Sequence, residues 1–435
     1  MTAVEYIARM ELLAELDARG LFANCTDRAE LAKLLATHAP VSVYAGYDPT
    51  SSSLHVGNLV PTIMLKRLQL AGHRPIIVVG GATGMIGDPS GKSEERNLLD
   101  DATIAANVAG IHGQLARLLD FRESPTGAVI VNNADWTRDI TLLEFLRDVG
   151  KFLTINYMTD KDSVKSRLES EHGISYTEFS YMLLQAFDFV HLATAYNCRL
   201  QVGGNDQFGN ITAGCELSRK RGGAQLYGLT APLLLDSSGE KMGKTSTGQR
   251  IWLDAARTSP FAFYQYWLNT TDEEAPRLLR MFSLDSLVRI DDLLRTHEAD
   301  RSQRIAQRAL ARAMTEWVHG KDAIAGIENA SSEIFGGDLS KVTDHELAAM
   351  AGTIPSIDVP RAELEAGIGF IELFVRAGLE TSKGAARRQI TQGGAYINNV
   401  AITDVDKKVG LGDLLTATRL VMRKGKKTYR IVCVV

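Results

Sequence analysis

Between residues 41 and 250 the chain alternates short apolar runs with helical periodicity. Val41-Ser42-Val43-Tyr44-Ala45-Gly46 is followed by a helical pattern from about Gly57 to Ala71, by the run Pro75 to Gly80 and later by Ala128-Val129-Ile130-Val131. Runs of this length separated by helices predict parallel strands with crossover connections, an open α/β sheet. Ligands of such sheets bind beyond the carboxyl ends of the strands, where Gly46, Gly80-Gly81 and Gly203-Gly204 are expected to fall. From about Thr258 to Met350 the pattern becomes helical with charged faces, Arg301 to Gly320 included, and strand signals vanish. Gly352-Thr353-Ile354-Pro355-Ser356-Ile357-Asp358-Val359-Pro360 has two prolines and no helical period, so 351–360 reads as a linker. The expected domains are 1–257, 258–350 and 361–435.

Composition leaves this picture standing. A chain of 435 residues is about three times the ~150 that serve as a prior for one domain. With 45% apolar and 23% charged residues it is of ordinary globular type. Cys25, Cys198, Cys215 and Cys433 lie far apart, which indicates neither zinc nor a disulfide framework. The start, Met1-Thr2-Ala3-Val4-Glu5-Tyr6, is acidic and amphipathic where a secretory signal places basic residues, and no run approaches the ~20 apolar residues of a membrane span. A cytoplasmic protein without membrane contact is expected. Charge is uneven: from Arg376 onward twelve Lys and Arg face four acids, a local +8 within a net charge of −4. Such a tail suits either a polyanion partner or a solvated lysine-rich surface, and composition does not choose between them.

Three segments carry candidate chemistry. Tyr47-Asp48-Pro49-Thr50-Ser51-Ser52-Ser53-Leu54-His55-Val56-Gly57-Asn58 joins a strand to a helix, and its hydroxyls, histidine and glycine at a helix N-terminus suit phosphate handling; alone, it reads more simply as a capped helix start. Gly80-Gly81-Ala82-Thr83-Gly84-Met85-Ile86-Gly87-Asp88 misses the dinucleotide fingerprint at Ala82, and Gly91-Lys92-Ser93 misses the Walker spacing at Ile86. What remains is a glycine turn presenting Asp88, suited to a ligand ammonium or to a tight structural turn. Gly239-Glu240-Lys241-Met242-Gly243-Lys244-Thr245-Ser246 also lacks the Walker spacing, at Ser238, yet its two lysines suit a mobile cationic clamp as well as an exposed polar loop.

Together these segments resemble the class I aminoacyl-tRNA synthetases. His55-Val56-Gly57-Asn58 is similar to that class's "HIGH" signature and Lys241-Met242-Gly243-Lys244-Thr245 to its "KMSKS" loop, in the right order. The likeness departs at Asn58, usually histidine, and at Gly243 and Thr245, usually serines. It implies a Rossmann-like catalytic domain, then an all-helical anticodon-stem-binding domain and a small α+β module. It also implies ATP as a substrate, with Mg2+ accompanying it through phosphate oxygens, no tightly bound cofactor and no protein metal ligand.

Between the signatures, Tyr181, Gln185 and Asp188 share one helix face at i, i+4, i+7, ahead of Gln201-Val202-Gly203-Gly204-Asn205-Asp206-Gln207. A core helix would explain the tyrosine and glutamine, but a buried acid needs a partner. These stretches and Tyr44 resemble the bacterial tyrosyl-tRNA synthetases over nearly the whole chain. That resemblance implies that Tyr44 and Asp188 hold the phenolic hydroxyl of L-tyrosine, that Asp88, Tyr181 and Gln185 hold its ammonium, and that Gln201 lines the site. For ATP it implies Gly46, Asp48, His55 and Gly57 on one side and Gly204, Asp206, Gln207, Leu233, Leu234 and Lys244 on the other. Thr50, His55 and Asn58 with Lys92, Arg96, Lys241, Lys244 and Thr245 are the implied catalytic groups around the phosphates. A pocket that must reject phenylalanine needs buried groups left unpaired without the hydroxyl, which Tyr44 and Asp188 supply. No segment is long enough for an inserted editing domain.

The tail resembles the S-four-like RNA-binding module appended to the same family. Its capped helix presents Lys383, Arg387 and Arg388, implying tRNA(Tyr) as partner; a homodimer rests on family likeness alone. Two rivals stay open: another class I ligase such as a tryptophanyl-tRNA synthetase, and a non-catalytic RNA-binding or splicing helper derived from a synthetase.

Overall fold

The computed structural model describes the chain except for residues 1–10, 89–99, 171–172, 238, 245–247, 326, 328–338, 340–341, 345–346, 348–353 and 426–427. Lys92, Arg96 and Thr245 lie outside the described residues. Contacts divide the chain into two compact units, Met1–Asp254 with Thr270–Ala313, and Ala255–Asn269 with Met314–Val435.

The first unit is built on a six-stranded sheet. Its strands are β1 (Asn24–Cys25), β2 (Ser42–Tyr47), β3 (Arg74–Val79), β4 (Val129–Asn132), β5 (Cys198–Gly204) and β6 (Tyr227–Ala231), in the spatial order β1-β6-β5-β2-β3-β4. All neighbours are parallel except β1, which pairs antiparallel with β6 at the edge. The apolar runs of the sequence are thus β2, β3 and β4; the buried residues of β2 and β3 suit a parallel sheet covered on both faces, while β4 at the edge is half-buried. From β2 the chain moves outward through β3 and β4, then returns to lay β5 and β6 on the other side of β2. Strand order therefore reverses between β2 and β5, and a crevice must open beyond their carboxyl ends.

The crossover helices follow from ordinary signals. Helix α1 (Leu12–Ala18) precedes the sheet, and α2 (Leu59–Leu70) follows a one-turn 3-10 segment, Val56–Asn58. Helix α3 (Asp101–Leu118) is capped by Asp100, and α4 (Tyr176–Ala195) by Ser175, whose side chain accepts from the Glu178 N–H. Glu178 also meets Arg167 at 2.7 Å in an almost fully buried ion pair. Helix α5 (Phe208–Lys220) lies against α4, and α6 (Glu274–Phe282) belongs to the same unit. The helix expected from Arg301 to Gly320 is broken near its start: Arg304 adopts φ 52°, which separates a 3-10 turn from the helix Ile305–His319.

One buried ionic cluster ties three parts of this unit together. Glu15 of α1 accepts from Arg19 at 2.6 Å and from Arg67 of α2 at 3.3 Å, all three side chains being at most 1% exposed. The guanidinium of Arg19 also donates to the Arg280, Ser283 and Asp285 carbonyls, and Arg67 donates to Ser283, so the cations satisfy the carboxyl end of α6. Burial and the neighbouring Arg19 lower Arg67 to about 9.

In the second unit the C-terminal module has a five-stranded sheet. Strands β7 (Ser356–Val359), β9 (Ala395–Ile397), β10 (Val400–Ala401), β12 (Arg419–Lys424) and β13 (Thr428–Val434) stand in the order β10-β9-β12-β13-β7, and β8 (Ile368–Gly369) pairs separately with β11 (Lys408–Val409). Phe370, Leu373, Phe374 and Ile390 anchor its core. Helix α7 (Lys383–Thr391) is capped by Ser382, and the strand expected after Gly393-Gly394 is β9. Asn398 and Asn399 turn β9 into β10 with φ of 46° and 61°, the left-handed pair that a two-residue hairpin requires. The linker reading of 351–360 is corrected in part, because Ser356–Val359 is β7, parallel to β13. Its flanking prolines are compatible with an edge strand, and hid it.

Replacing Glu15 with Ala leaves two guanidiniums buried without their carboxylate, and the first unit is expected to lose about 3–5 kcal/mol. Urea unfolding of the purified variant measures this; a loss below about 1 kcal/mol would show that the arginines are satisfied by carbonyls alone.

Candidate active site

The crevice floor begins where β2 ends. After Tyr47 and Asp48 the chain reaches His55, whose extended backbone starts the 3-10 turn. The His55 ring accepts from the Gly57 N–H at 3.0 Å through Nδ1, and the His55 N–H donates to Asn58 Oδ1 at 3.0 Å. Asn58 thus closes a reciprocal capping box, which gives this departure from the family signature a local task. Gly57 is required by the same contact: a Cβ there would sit 2.9 Å from His55 Cε1.

The second signature comes back onto the first. Leu235 pairs with Lys241 and Lys244 with Arg250 in isolated antiparallel bridges, and His55 pairs likewise with Trp252. The Val56 N–H donates to the Ile251 carbonyl at 3.2 Å and the Ile251 N–H to the Gly243 carbonyl at 2.8 Å. Gly243 has φ 114°, and a Cβ on it would lie 3.9 Å from Gly57 N. The positive φ, rather than the approach of the two segments, is what favours glycine here. Lys241 forms an ion pair with Asp206 at 3.3 Å, so the implied ribose acid and the implied phosphate cation meet each other. Lys244 and Thr50 are exposed.

Deeper in the crevice lies a polar cluster that the apolar sheet surrounds. Tyr44 on β2 is 1% exposed and packs edge-on against Phe189 at 5.1 Å. Among the described residues no hydrogen-bond partner reaches its buried hydroxyl or the buried Oε1 of Gln201 on β5. Burial first, then the nearby Asp188 carboxylate, pushes the Tyr44 hydroxyl well above its ordinary value. Asp188 on α4 accepts from Asn133 Nδ2 at 2.9 Å and from Trp136 Nε1 at 2.8 Å. Burial raises its carboxyl to about 7 against the pull of those two donors, and Asp48 adds to the rise.

Asp88, at the turn after β3, accepts from Gln207 Nε2 at 2.7 Å and from Asn210 Nδ2 at 3.5 Å. Gln185 accepts from Asn210 at 3.1 Å and donates to Gln207 at 3.4 Å. Gln207, implied as an ATP residue, therefore stands with Asp88 and Gln185. Tyr181, implied beside them at the ammonium, donates instead to Asp48, 3.1 Å from Oδ2. Asp48 also accepts from Thr83 at 3.2 Å, Thr83 accepts from Asn133 at 3.0 Å, and Asn133 reaches Asp188. One hydrogen-bonded path thus runs from the end of β2 to the buried carboxylate. Gly80 makes room for it, since a Cβ there would lie 2.6 Å from Asp48 Oδ1.

The remaining implied residues are Gly46, exposed at the end of β2, and Gly204, where a Cβ would lie 2.9 Å from Asp206 Oδ1 and 3.3 Å from Leu233. Leu234 is buried and its carbonyl accepts from the Met242 N–H. Lys383, Arg387 and Arg388 belong to the second unit, exposed on α7 while Ala386 and Ile390 of the same helix are buried. Sequence reasoning missed Asn133, Trp136, Thr83 and Asn210. The first two follow the end of β4, where the rule about strand carboxyl ends could have found them. Among the described residues no three His, Cys, Asp or Glu side chains are grouped to hold a metal.

Residues 36–336 match the family described as tRNA synthetases class I (W and Y). The chain belongs to this family. Residues 347–432 of this class I synthetase match the tyrosine–tRNA ligase SYY-like C-terminal domain. It is 49% identical to the tyrosine–tRNA ligase of Rhodopirellula baltica over 98% of this chain and 97% of that one. It is also 49% identical to that of Opitutus terrae, covering 98% of this chain and all of the relative. Among solved structures, the C-terminally truncated mitochondrial tyrosyl-tRNA synthetase of Aspergillus nidulans is similar with a TM-score of 0.67 and 31% identity, over 76% of this chain and 97% of that one.

In a class I synthetase the contact between Gly57 and His55 has a measurable consequence. Gly57→Ala must displace the imidazole, and misplacement on that scale is expected to slow adenylate formation by about a hundredfold. Single-turnover adenylate formation, read beside an unchanged melting temperature, tests this; a variant as fast as the parent would free His55 from the role.

Proposed function

We propose that this synthetase is a tyrosine–tRNA ligase, forming tyrosyl-adenylate and pyrophosphate from L-tyrosine and ATP and then charging the terminal adenosine of tRNA(Tyr). The observation that carries the reading is the buried Tyr44 hydroxyl beside Asp188 and Gln201, which no described residue satisfies. A phenolic hydroxyl entering there donates to Asp188 and accepts from Tyr44. Phenylalanine leaves the Tyr44 hydroxyl uncompensated, at a cost of about 1–3 kcal/mol, and brings Asp188 no donor beyond Asn133 and Trp136. An indole carries no hydroxyl to match them, which disfavours tryptophan.

The Asp88, Gln185 and Gln207 cluster suits the ammonium of the substrate, with Tyr181 and Asp48 alongside. The substrate carboxylate is already a nucleophile: it attacks the α-phosphorus, and the bond to the pyrophosphate oxygen breaks. No protein base is needed, so the work is alignment and charge stabilisation. His55 and Thr50 meet the phosphates from one side and Lys241 and Lys244 from the other, with Lys92, Arg96 and Thr245 assigned beside them by family likeness. Mg2+ accompanies ATP through phosphate oxygens and water. Asp206 and Gly204 receive the ribose once Lys241 leaves its ion pair, and Leu233 and Leu234 flank the adenine. In the second step an adenosine hydroxyl attacks the activated carbonyl and AMP departs.

Lys383, Arg387 and Arg388 on α7 are the proposed tRNA phosphate contacts. A homodimer is supported by the exposed apolar side chains of Leu142, Leu143 and Ile155, 70%, 78% and 61% exposed. A cytoplasmic location accords with the absence of any described helix long and apolar enough to cross a membrane. The presence of His55 with Lys241 and Lys244 on a loop joined to its turn by main-chain bonds argues for an active ligase over a decayed RNA-binding helper.

ATP–pyrophosphate exchange is expected to require tyrosine; exchange driven by tryptophan, or none, overturns the reading. The pH profile is a second test. Asp188 accepts from the phenol when ionised, and with its carboxyl at about 7 the ionised fraction falls roughly tenfold from pH 8 to pH 6. The KM for tyrosine should rise by about that factor while the KM for ATP holds, and Asp188→Asn should flatten the profile at weak binding. A flat wild-type profile would detach Asp188 from the substrate.

A further inference from the structure

In the second unit one carboxylate gathers donors from far along the chain. Asp344 begins a helical turn in which the Leu347 N–H donates to the Thr343 carbonyl. Its Oδ1 accepts from Thr416 Oγ1 at 2.5 Å, from the Thr418 N–H at 3.1 Å and from Thr418 Oγ1 at 2.9 Å. Oδ2 pairs with the Arg419 guanidinium, which also donates to the Asp344 carbonyl at 3.3 Å. These partners lie 72 to 75 residues later, so the contact caps no local turn.

The place that Asp344 holds is mechanically central. Arg419 opens β12, with Thr418 just before it, and β12 is the middle strand of the C-terminal sheet, flanked by β9 and β13. At the far end of β12, Lys424 pairs with Ala395, and the Gly425 N–H donates to the Gly394 carbonyl at 2.8 Å. Gly394 follows α7 by three residues, so a single strand connects the Asp344 contact to the base of the basic helix. Arg423 on the same strand stacks over Tyr396 of β9 at 3.7 Å and stiffens the pairing.

We propose that Asp344 is a positioning residue for tRNA charging: it docks the C-terminal module onto the segment that precedes it, and so fixes where α7 presents Lys383, Arg387 and Arg388. This rests on the reading of tRNA as the substrate of α7. The Thr416 hydroxyl, the Thr418 donors and Arg419 hold the Asp344 carboxyl down to about 2, so the contact stays charged at any physiological pH and acts as a fixed latch. All these partners of Asp344 belong to the second unit, whereas the crevice residues belong to the first.

The test uses the full chain and a tRNA(Tyr) transcript. Asp344→Ala is expected to raise the KM for tRNA roughly tenfold, the factor that about 1.4 kcal/mol gives. The kcat of charging and tyrosine-dependent ATP–pyrophosphate exchange should stay at wild-type values, and hydrogen exchange at the Thr418 amide should accelerate. Asp344→Glu, which keeps the charge and both acceptors, should recover part of the KM. A Thr418 amide that exchanges no faster shows that the latch does not exist in solution. Faster exchange with an unchanged KM for tRNA reduces Asp344 to a local clamp, and loss of pyrophosphate exchange makes its effect global; each overturns the proposal. A wild-type chain that exchanges pyrophosphate with tyrosine but charges no tRNA defeats the functional reading itself and the positioning role with it, whatever the Asp344 variants do.

Discussion

The reversal of strand order between β2 and β5 is the constraint on which the first unit depends. A parallel sheet whose crossovers go both ways from β2 cannot close the space beyond the ends of those two strands, because no connection passes over it. Much of what is polar in the crevice arrives from that geometry. Tyr44 and Gln201 point in from the two strands themselves, Asp48 follows the first, Gly204 ends the second, and Asp88 and Asn133 come from the neighbouring strand ends. The glycines at 80, 81 and 204 keep the rim thin: a Cβ at Gly81 would lie 2.2 Å from Asn132 Oδ1, so backbone must stand where side chains are excluded.

Holding a carboxylate at the bottom of such a crevice costs stability. Asp188 keeps its proton more tightly folded than unfolded, where its ordinary value is 3.8. The stabilisation that its protonation gives is complete below that value and lost as pH rises through about 7, so at neutral pH and above the fold carries the charge at a loss. Asn133 and Trp136 reduce the loss by donating to both oxygens, and further lone pairs remain for a phenol. The same donors fix the carboxylate in place. Trp136 is itself held by stacking on His191 at 4.4 Å, so the orientation is set before any ligand enters.

Much of this was legible in the chain because it has a period or an end. The strands β2, β3 and β4 show as apolar runs, and Tyr181, Gln185 and Asp188 show as one helical face. Asn133 and Trp136 show no period and only their place after the end of β4 marks them: Asn132-Asn133-Ala134-Asp135-Trp136 has no repeat, and the bonds to Asp188 span 55 and 52 residues. The rearranged partnerships were equally hidden. Spacing puts Tyr181 on the face of Gln185, but which carboxylate its hydroxyl reaches is decided by Asp48 rising from another strand. The two-residue β1 and the edge strand β7 are too short for a pattern to outweigh turn residues beside them.

The departures from the family signatures bear on whether the site is intact. A decaying active site loses side chains without regard to local geometry, whereas here each described replacement fits a specific backbone need. Asn58 supplies the oxygen that completes the box around His55. Gly243 adopts a φ of 114° that a serine would resist, and stands where its neighbour is the Gly57 backbone. The two signatures, some 190 residues apart in sequence, are then joined through Ile251 and Trp252, so the lysine-bearing loop is registered on the histidine-bearing turn by main-chain bonds. A loop free of the other segment would need no such register. In the proposed reaction that register lets cations and imidazole act on the same phosphates.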